Sequence, residues 1–174
     1  MKIGTDGILI GAWVNVSNKF KALDIGSGTG IISLMLCQRN LNLELDSVEL
    51  SPSAVMDAKI NIENCNWSNR IKLFHQDLKD FHPDSNYDLI VSNPPYIAPS
   101  DPHLESLKYE PIKALVSDDN GLKDLKIITK QAKKILTHDG VLIFEHSFDQ
   151  SINLENILID SGFKDIFLMK DHQS

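Results

Sequence analysis

The stretch that decides the fold is Asp24-Ile25-Gly26-Ser27-Gly28-Thr29-Gly30, near the front of a chain of 174 residues. A short apolar run, 22–25, leads into it, and residues 31–39 after it have the apolar spacing of a helix. The glycines permit a tight strand-to-helix turn and close approach of another group, and the helix then presents unpaired amides to an anion. Taken alone, this motif also fits NAD binding or a helix packed closely onto a sheet.

Strand and helix patterns alternate along the rest of the chain. Further strands are predicted at 43–50, 71–74, 87–92, 140–145 and 163–169, and further helices at 52–64, 122–136 and 152–161. This alternation predicts an α/β fold with a mainly parallel twisted sheet, helices on both faces, and ligands beyond the carboxyl ends of the strands. We expect a single domain over residues 1–174, because the length suits one buried core and not two.

Composition and charge narrow the classes of function. A formal net charge of -7 argues against broad electrostatic attachment to nucleic acid, and the lysines of segment 122–136 predict a solvated helix face. The sequence has neither an apolar run of about 20 residues nor a signal-peptide pattern, which predicts a cytoplasmic protein without a membrane partner. Cys37 and Cys65 lack metal-ligand spacing, so we expect buried reduced thiols and no metal site.

Two acidic residues follow successive strands. Glu49 ends the second strand nineteen positions after Gly30, where its carboxylate can accept both ribose hydroxyls of a nucleoside, next to Leu50. Asp77 follows the third strand and could accept from an adenine amino group while Leu78 flanks the ring. Each acid alone is more commonly a helix cap or a solvated loop residue, and their shared place at strand ends is what favours a ligand.

The tetrapeptide Asn93-Pro94-Pro95-Tyr96 follows the fourth strand. A planar amide or amino nitrogen is a poor nucleophile because its lone pair is delocalised. The Asn93 side-chain oxygen and the Pro94 carbonyl could hold such a nitrogen through its NH2 hydrogens while Tyr96 stacks on the planar group, and no dedicated base is required. The alternative is that the prolines only end a strand and Tyr96 caps the core.

Together these motifs resemble the Rossmann-like class I S-adenosylmethionine-dependent methyltransferases over nearly the whole chain. The resemblance implies S-adenosylmethionine as cofactor, with Asn93, Pro94 and Tyr96 as catalytic residues. It implies a cofactor site formed by Asp24, Gly26, Gly28, Gly30, Glu49, Leu50, Asp77, Leu78 and Asn93. A dehydrogenase is the competing interpretation, but the tetrapeptide has no role in hydride transfer.

The two halves of the chain resemble different methyltransferases. Residues 89–150 are similar to the release-factor glutamine methyltransferases in Asn93-Pro94-Pro95-Tyr96-Ile97, Asp101-Pro102-His103-Leu104, Tyr109-Glu110-Pro111, Ala114-Leu115, Gly121-Leu122, Glu145-His146-Ser147 and Gln150. The front half is similar to the bacterial tRNA(Val) adenine-N6 methyltransferases in Lys2-Ile3-Gly4-Thr5-Asp6-Gly7, Gly11-Ala12-Trp13, Asn61-Ile62-Glu63-Asn64, Trp67 and Arg70-Ile71. The second resemblance assigns Thr5 and Asp6 to the methionine end of the cofactor; either could also cap a helix beginning near Ile8.

The acceptor half surrounds the reacting nitrogen, so the expected activity is methylation of the side-chain amide of a glutamine in a peptide chain release factor. Methylation of the exocyclic amine of adenine in tRNA is the alternative, and a cofactor-binding module without turnover is a third. The expected partner is therefore a macromolecule, a release factor or a tRNA. Both families insert a seventh strand beside the fifth, for which this chain has no room before Ser174. We expect a six-stranded sheet or a weakly protected edge beside the fifth strand.

Overall fold

The computed structural model describes residues 5–107 and 111–169. The helices are α1 Thr5–Trp13, α2 Ile31–Arg39, α3 Pro52–Glu63, α4 Lys123–Ile135 and α5 Ser151–Asp160. The strands are β1 Lys21–Ile25, β2 Glu44–Glu49, β3 Ile71–His75, β4 Tyr87–Ser92 and β5 Leu136–Phe144. All strand pairs are parallel, in the order β3-β2-β1-β4-β5, which confirms the α/β prediction. Of the residues that carry the two resemblances, Lys2, Ile3, Gly4, Tyr109 and Glu110 lie outside the described ranges.

The sheet is covered by helices on both faces. One core cluster joins α1, α2 and α3 to the sheet and includes Val14, Leu36, Ala58, Ala22 and Leu89. A second cluster joins α4 to the opposite face and includes Ile128, Ala132, Leu23, Ile90 and Tyr87. The neighbours Ala22 and Leu23 belong to different clusters because successive side chains of a strand point to opposite faces. Most of β1 and β4 is buried, so the centre of the sheet is a rigid base for the loops that leave it.

Helix α1 includes Thr5 and Asp6, whereas the sequence placed its start near Ile8. Both residues therefore lie in its first turn and not ahead of the helix as caps. The helix lies against α2 because Gly11 allows a close approach: a Cβ on Gly11 would come within 2.7 Å of the Met35 sulfur. The side chains of Thr5 and Asp6 lie outside the described part of the chain, and their role toward a cofactor stays a prediction.

The far end of the sheet differs from the sequence prediction in two ways. Strand β5 begins at Leu136 and not at 140, with a bulge between the pairs Tyr87↔Leu136 and Leu89↔Val141. The sixth strand predicted at 163–169 is wrong, since these residues form no strand and the Phe167 side chain is 84% exposed. In the described ranges β5 pairs with β4 alone, so the expected edge beside the fifth strand is present in a sheet of five strands.

Two further sequence predictions concern the cysteines and the membrane. Neither cysteine forms a disulfide; Cys37 is buried, as expected, but Cys65 is only half-buried. Burial raises the pKa of the Cys37 thiol to about 11, although the charge of Arg70 acts in the opposite direction. Within residues 5–107 and 111–169, no helix combines the length and apolar character needed to cross a membrane.

Candidate active site

The glycine turn and the Asn93 loop leave neighbouring strands at the same edge of the sheet. Strands β1 and β4 are parallel neighbours in which Ile25 pairs with Ser92. The Ser92 hydroxyl donates a hydrogen bond of 2.7 Å to the Ile25 carbonyl oxygen. Gly26 and Asn93 are the next residues on the two strands, so both predicted halves of the site begin side by side at the carboxyl ends, where α/β sheets bind ligands.

The turn after β1 has the backbone that its glycines predict. Gly26, Gly28 and Gly30 have φ values of 67°, 57° and 77°, in the left-handed region that side chains disfavour. The Gly26 amide donates to the Val48 carbonyl of β2 at 2.8 Å, which fixes the turn to the sheet. A Cβ built on Gly26 would have no heavy atom within 4 Å, whereas one on Gly30 would contact Ala58 of α3 at 3.6 Å. Gly30 therefore serves helix packing, and Gly26 faces open space into which a ligand can come close.

Asp24 is fully buried beneath this turn. Its Oδ2 accepts hydrogen bonds from the Ser33 hydroxyl at 2.6 Å and the Ser33 amide at 3.1 Å. Its Oδ1 is also buried but accepts no hydrogen bond from the described residues. Burial raises the pKa of Asp24 from 3.8 to about 6; the charge of Glu49 raises it further, while the bonds from Ser33 lower it. Asp24 is therefore a buried acidic group with one oxygen still able to accept a hydrogen bond.

Glu49 connects the glycine turn to the end of β2. Its Oε2 accepts from the Gly28 amide at 2.8 Å, and its Oε1 accepts from the Ser51 amide at 2.7 Å. Each carboxylate oxygen has a second lone pair, so both can still accept from hydroxyl groups of a ligand. The side chain is half-buried. Glu49 therefore holds the turn in shape and keeps acceptor capacity at the predicted ribose position.

The other residues predicted to contact the adenine side of the cofactor differ in burial and in their contacts. The pair Glu49↔His75 places Asp77 two residues beyond β3, at the neighbouring strand end. The Asp77 carboxylate accepts from the Lys79 amide at 2.9 Å and caps a short 3-10 helix, which is the ordinary role considered from the sequence. Leu78 packs against the second core cluster, whereas Leu50 is 61% exposed. These residues lie on the side of β1 opposite to the Asn93 loop.

The Asn93 loop combines an available amide with an anchored aromatic ring. Asn93 is half-buried, Pro94 is buried, and no hydrogen bond within the described ranges engages the Asn93 side chain. Tyr96 packs against a third core cluster of Leu122, Leu125 and Leu154. Its hydroxyl donates to Glu145 Oε1 at 3.4 Å. Tyr96 therefore has the core-packing role considered from the sequence, while the Asn93 side chain, as far as the described residues go, is available to bind a ligand.

Two residues at this edge were not assigned to the site from sequence. Glu145 directly follows β5, and its amide donates to the Ser92 carbonyl at 3.2 Å, which puts it beside Asn93. The sequence places Glu145 at the end of the fifth strand, but this indicates a site residue only when β5 is known to lie beside β4. Ser33, which holds Asp24, follows no recognisable pattern. Among the described residues no group of three His, Cys, Asp or Glu side chains could hold a metal ion.

Comparison with known proteins defines the family of this fold and site. The family model described as "Methyltransferase small domain" matches residues 6–109, more than half of the chain and both predicted halves of the site. The chain belongs to the methyltransferase small domain family. This membership disfavours the dehydrogenase interpretation of the glycine turn.

Relatives of this methyltransferase small domain protein include a tRNA1(Val) (adenine(37)-N6)-methyltransferase of Yersinia pestis (strain Pestoides F). The two are 41% identical over 149 residues, which cover 81% of this chain and 56% of that protein. The chain thus spans about half the length of the curated relatives it matches. The same name belongs to a protein of Yersinia pseudotuberculosis serotype O:1b (strain IP 31758), also 41% identical over 149 residues, with the same coverage of 81% and 56%.

Solved structures agree on the fold. A precorrin-6y C5,15-methyltransferase from Geobacter metallireducens has a TM-score of 0.62 at 13% identity, covering 91% of this chain and 71% of that one. An O-methyltransferase from Brevibacillus brevis in complex with S-adenosyl-L-homocysteine has a TM-score of 0.58 at 14% identity, covering 82% and 41%. At such low identity these neighbours show the class I methyltransferase fold and nothing about the acceptor.

Proposed function

We propose that this protein is an S-adenosylmethionine-dependent N-methyltransferase whose acceptor is the exocyclic amine of an adenine in tRNA. The observation that carries the proposal is the pairing of Ile25 with Ser92, from which the glycine turn and the Asn93 loop leave side by side. A methyl donor on one loop and a planar nitrogen on the other would then meet at the strand ends. With such a substrate we expect the enzyme to act in the cytoplasm.

The donor half fits an adenosyl cofactor by its shape and its acceptor groups. Open space above Gly26 allows close approach to the turn. Both Glu49 oxygens can accept further hydrogen bonds, which suits the two hydroxyls of a ribose. The Oδ1 of Asp24, which accepts no hydrogen bond from the part of the chain that the structure describes, provides a buried negative charge under the turn, which suits a cationic ligand. The bound cofactor would supply a methyl group already activated by a sulfonium charge.

The acceptor half orients a nitrogen and needs no general base. The Asn93 side-chain oxygen and the Pro94 carbonyl accept the two N–H groups of an amine, which turns the nitrogen toward the donor. Tyr96, half-buried and anchored on its core cluster, would flank the planar ring of the acceptor. These contacts lower the barrier by placement, and the proton leaves after the methyl has transferred.

The adenine acceptor is favoured by relatives that are 41% identical and carry that activity in their name. The glutamine acceptor expected from the sequence stays as the second candidate because of one observation. Residues of the run that resembles the glutamine methyltransferases lie together in space: Tyr96 donates to Glu145, and Gln150 donates to the Tyr96 carbonyl at 2.7 Å. Under this second candidate, that run would line the acceptor site beside Asn93 and contribute to the choice of acceptor.

The test is incubation of the protein with isotopically labelled S-adenosylmethionine and either tRNA or a release factor, followed by mass spectrometry of nucleosides and peptides. We expect labelled N6-methyladenosine. Labelled glutamine with unmodified tRNA would establish the second candidate. Tight cofactor binding without any methylated product would show that the protein is a cofactor-binding module without turnover.

Asn93→Ala tests the acceptor assignment in the same assay. We expect the rate to fall by an amount equivalent to on the order of 2 to 4 kcal/mol, because an orienting contact is lost. Asn69→Ala is the matched control, since Asn69 is exposed beside the start of β3, at the other end of the sheet. A rate that stays within a few fold of wild type for Asn93→Ala would refute the acceptor assignment.

A further inference from the structure

A single buried amide side chain ties together three loops at the acceptor edge. Gln150 is 5% exposed. Its Nε2 donates to the carbonyl oxygen of Tyr96 at 2.7 Å and to that of Asn120 at 3.0 Å, while its Oε1 accepts from the Ser147 amide at 3.0 Å. We call these three hydrogen bonds the Gln150 clasp. They join the loop after β4, the turn before α4 and the turn after β5.

The clasp uses the full hydrogen-bonding geometry of the amide. A glutamine amide has two N–H donors and one carbonyl acceptor in a plane, and here both donors and the acceptor are engaged. An ionised Glu has no donor, Met has no donor and only a weakly accepting sulfur, and Asn is shorter by one methylene. These three hydrogen bonds therefore depend on glutamine at position 150, and they add to the backbone hydrogen bonds from Ile97 to Leu115 and from Ser117 to Ile97 that join two of the same loops.

The turn that meets the clasp has a backbone of unusual conformation. Asp119, Asn120 and Gly121 have consecutive positive φ values of 58°, 55° and 82°. Conformations of this kind carry a cost for residues other than glycine and persist only where surrounding contacts enforce them. The space is also full, because a Cβ on Gly121 would collide with the Tyr96 carbonyl oxygen and the Gln150 Nε2. The Tyr96 carbonyl is thus held between a donor and a close-packed glycine.

We propose that Gln150 is a positioning residue that fixes the Asn93-to-Tyr96 backbone, and with it the Pro94 carbonyl, in the orientation that receives the acceptor nitrogen. This rests on the proposed function. Gln150 acts through the backbone and does not touch the substrate. Among the described residues, none of its hydrogen bonds reaches the glycine turn, Glu49 or Asp77 on the other side of β1. Loss of the clasp should therefore slow methyl transfer and leave cofactor affinity unchanged.

The test compares Gln150→Met, which keeps the length of the side chain and removes its hydrogen bonds, with Gln38→Met on the exposed face of α2. For each protein we would measure kcat, the KM for the macromolecular acceptor and the calorimetric Kd for S-adenosylmethionine. For Gln150→Met we expect kcat to fall about 10- to 100-fold, since small displacements in a reacting geometry have effects of this size. We expect the cofactor Kd to stay within about twofold of wild type, as for Gln38→Met.

Hydrogen–deuterium exchange supplies a readout that needs no turnover. In Gln150→Met we expect faster exchange at the amides of Tyr96 and Ile97 and in segment 117–122, with unchanged exchange in the glycine turn at 26–30. Unchanged exchange at Tyr96 and Ile97 would overturn the inference whether or not the wild type is active. A kcat equal to that of wild type would also overturn the inference. So would a cofactor Kd that weakens in proportion to kcat, because Gln150 would then stabilise the whole fold and not the acceptor edge alone. A wild-type protein that methylates neither tRNA nor release factor would refute the proposed function instead.

Discussion

Replacing Asp24 by Asn should change how the stability of the ligand-free protein depends on pH. Asp24 is fully buried, and its pKa is raised from 3.8 to about 6, first by burial and further by Glu49. The folded protein therefore binds the Asp24 proton more tightly than the unfolded chain does. Its contribution to stability is complete only well below pH 3.8 and is lost as the pH rises from there through about 6.

The size of this effect follows from the two pKa values. The difference between 3.8 and about 6 corresponds to a cost on the order of 3 kcal/mol for ionised Asp24 in the folded state. Of this, about 2 kcal/mol develops between pH 4 and pH 8, because a small part is already present at the lower pH. Asn occupies the same volume and does not titrate, so this pH-dependent part disappears from the variant.

The assay is urea unfolding at pH 4 and pH 8, followed by the fluorescence of the two tryptophans. The free energy of unfolding of wild type should fall between these pH values by about 2 kcal/mol more than that of Asp24→Asn. Other carboxyl groups titrate in both proteins and cancel in the comparison. Asp160→Asn, on the exposed end of α5, should follow wild type. Parallel pH dependences for wild type and Asp24→Asn would refute the reasoning.

Two further predictions concern the donor half and the fold. Glu49→Ala should weaken S-adenosylmethionine binding by about 10- to 100-fold in calorimetry. The cofactor would lose hydrogen bonds to a charged group, and the glycine turn would lose the hydrogen bond that the Gly28 amide donates to Glu49. Glu44→Ala, at the exposed start of β2, is the control and should leave binding unchanged. An unchanged Kd for Glu49→Ala would contradict its role. Arg70→Met should lower the free energy of unfolding by about 2 to 4 kcal/mol, because its guanidinium donates to the carbonyls of Cys37, Asn40 and Leu43. Lys72→Met serves as the exposed control in the same urea titrations, and a loss for Arg70→Met no larger than that of the control would exclude this role.

The fold was predictable where a local pattern was enough to define an element. The predicted helix 31–39 and strand 87–92 have the bounds of α2 and β4. The sixth strand was not predictable in the same way. Residues 163–169 have a strand-like composition, but a strand also needs a neighbour to pair its backbone groups, and Phe167 projects into solvent instead. Whether an apolar segment joins a sheet depends on partners that its own sequence does not contain.

The candidate site was predictable to the extent that it follows from strand order. Gly26 and Asn93 lie side by side because each directly follows one of two neighbouring parallel strands. The alternating pattern predicted the parallel sheet, although not which strands are neighbours. The Gln150 clasp could not be predicted from the sequence because it joins Gln150 to a main-chain carbonyl 54 positions earlier. The identity of a residue does not reveal which distant carbonyl it will meet. Asp24 was recognised as part of the turn, but its raised pKa was not predicted, because it depends on how deeply the folded chain buries the carboxyl.

The central place of β1 has a consequence for how such an enzyme can diversify. Strands β2 and β3 flank it on the side of Glu49 and Asp77, and β4 and β5 flank it on the side of Asn93 and Glu145. Under the proposed function, changes on one flank can alter which nucleophile is selected while recognition of the donor is inherited intact.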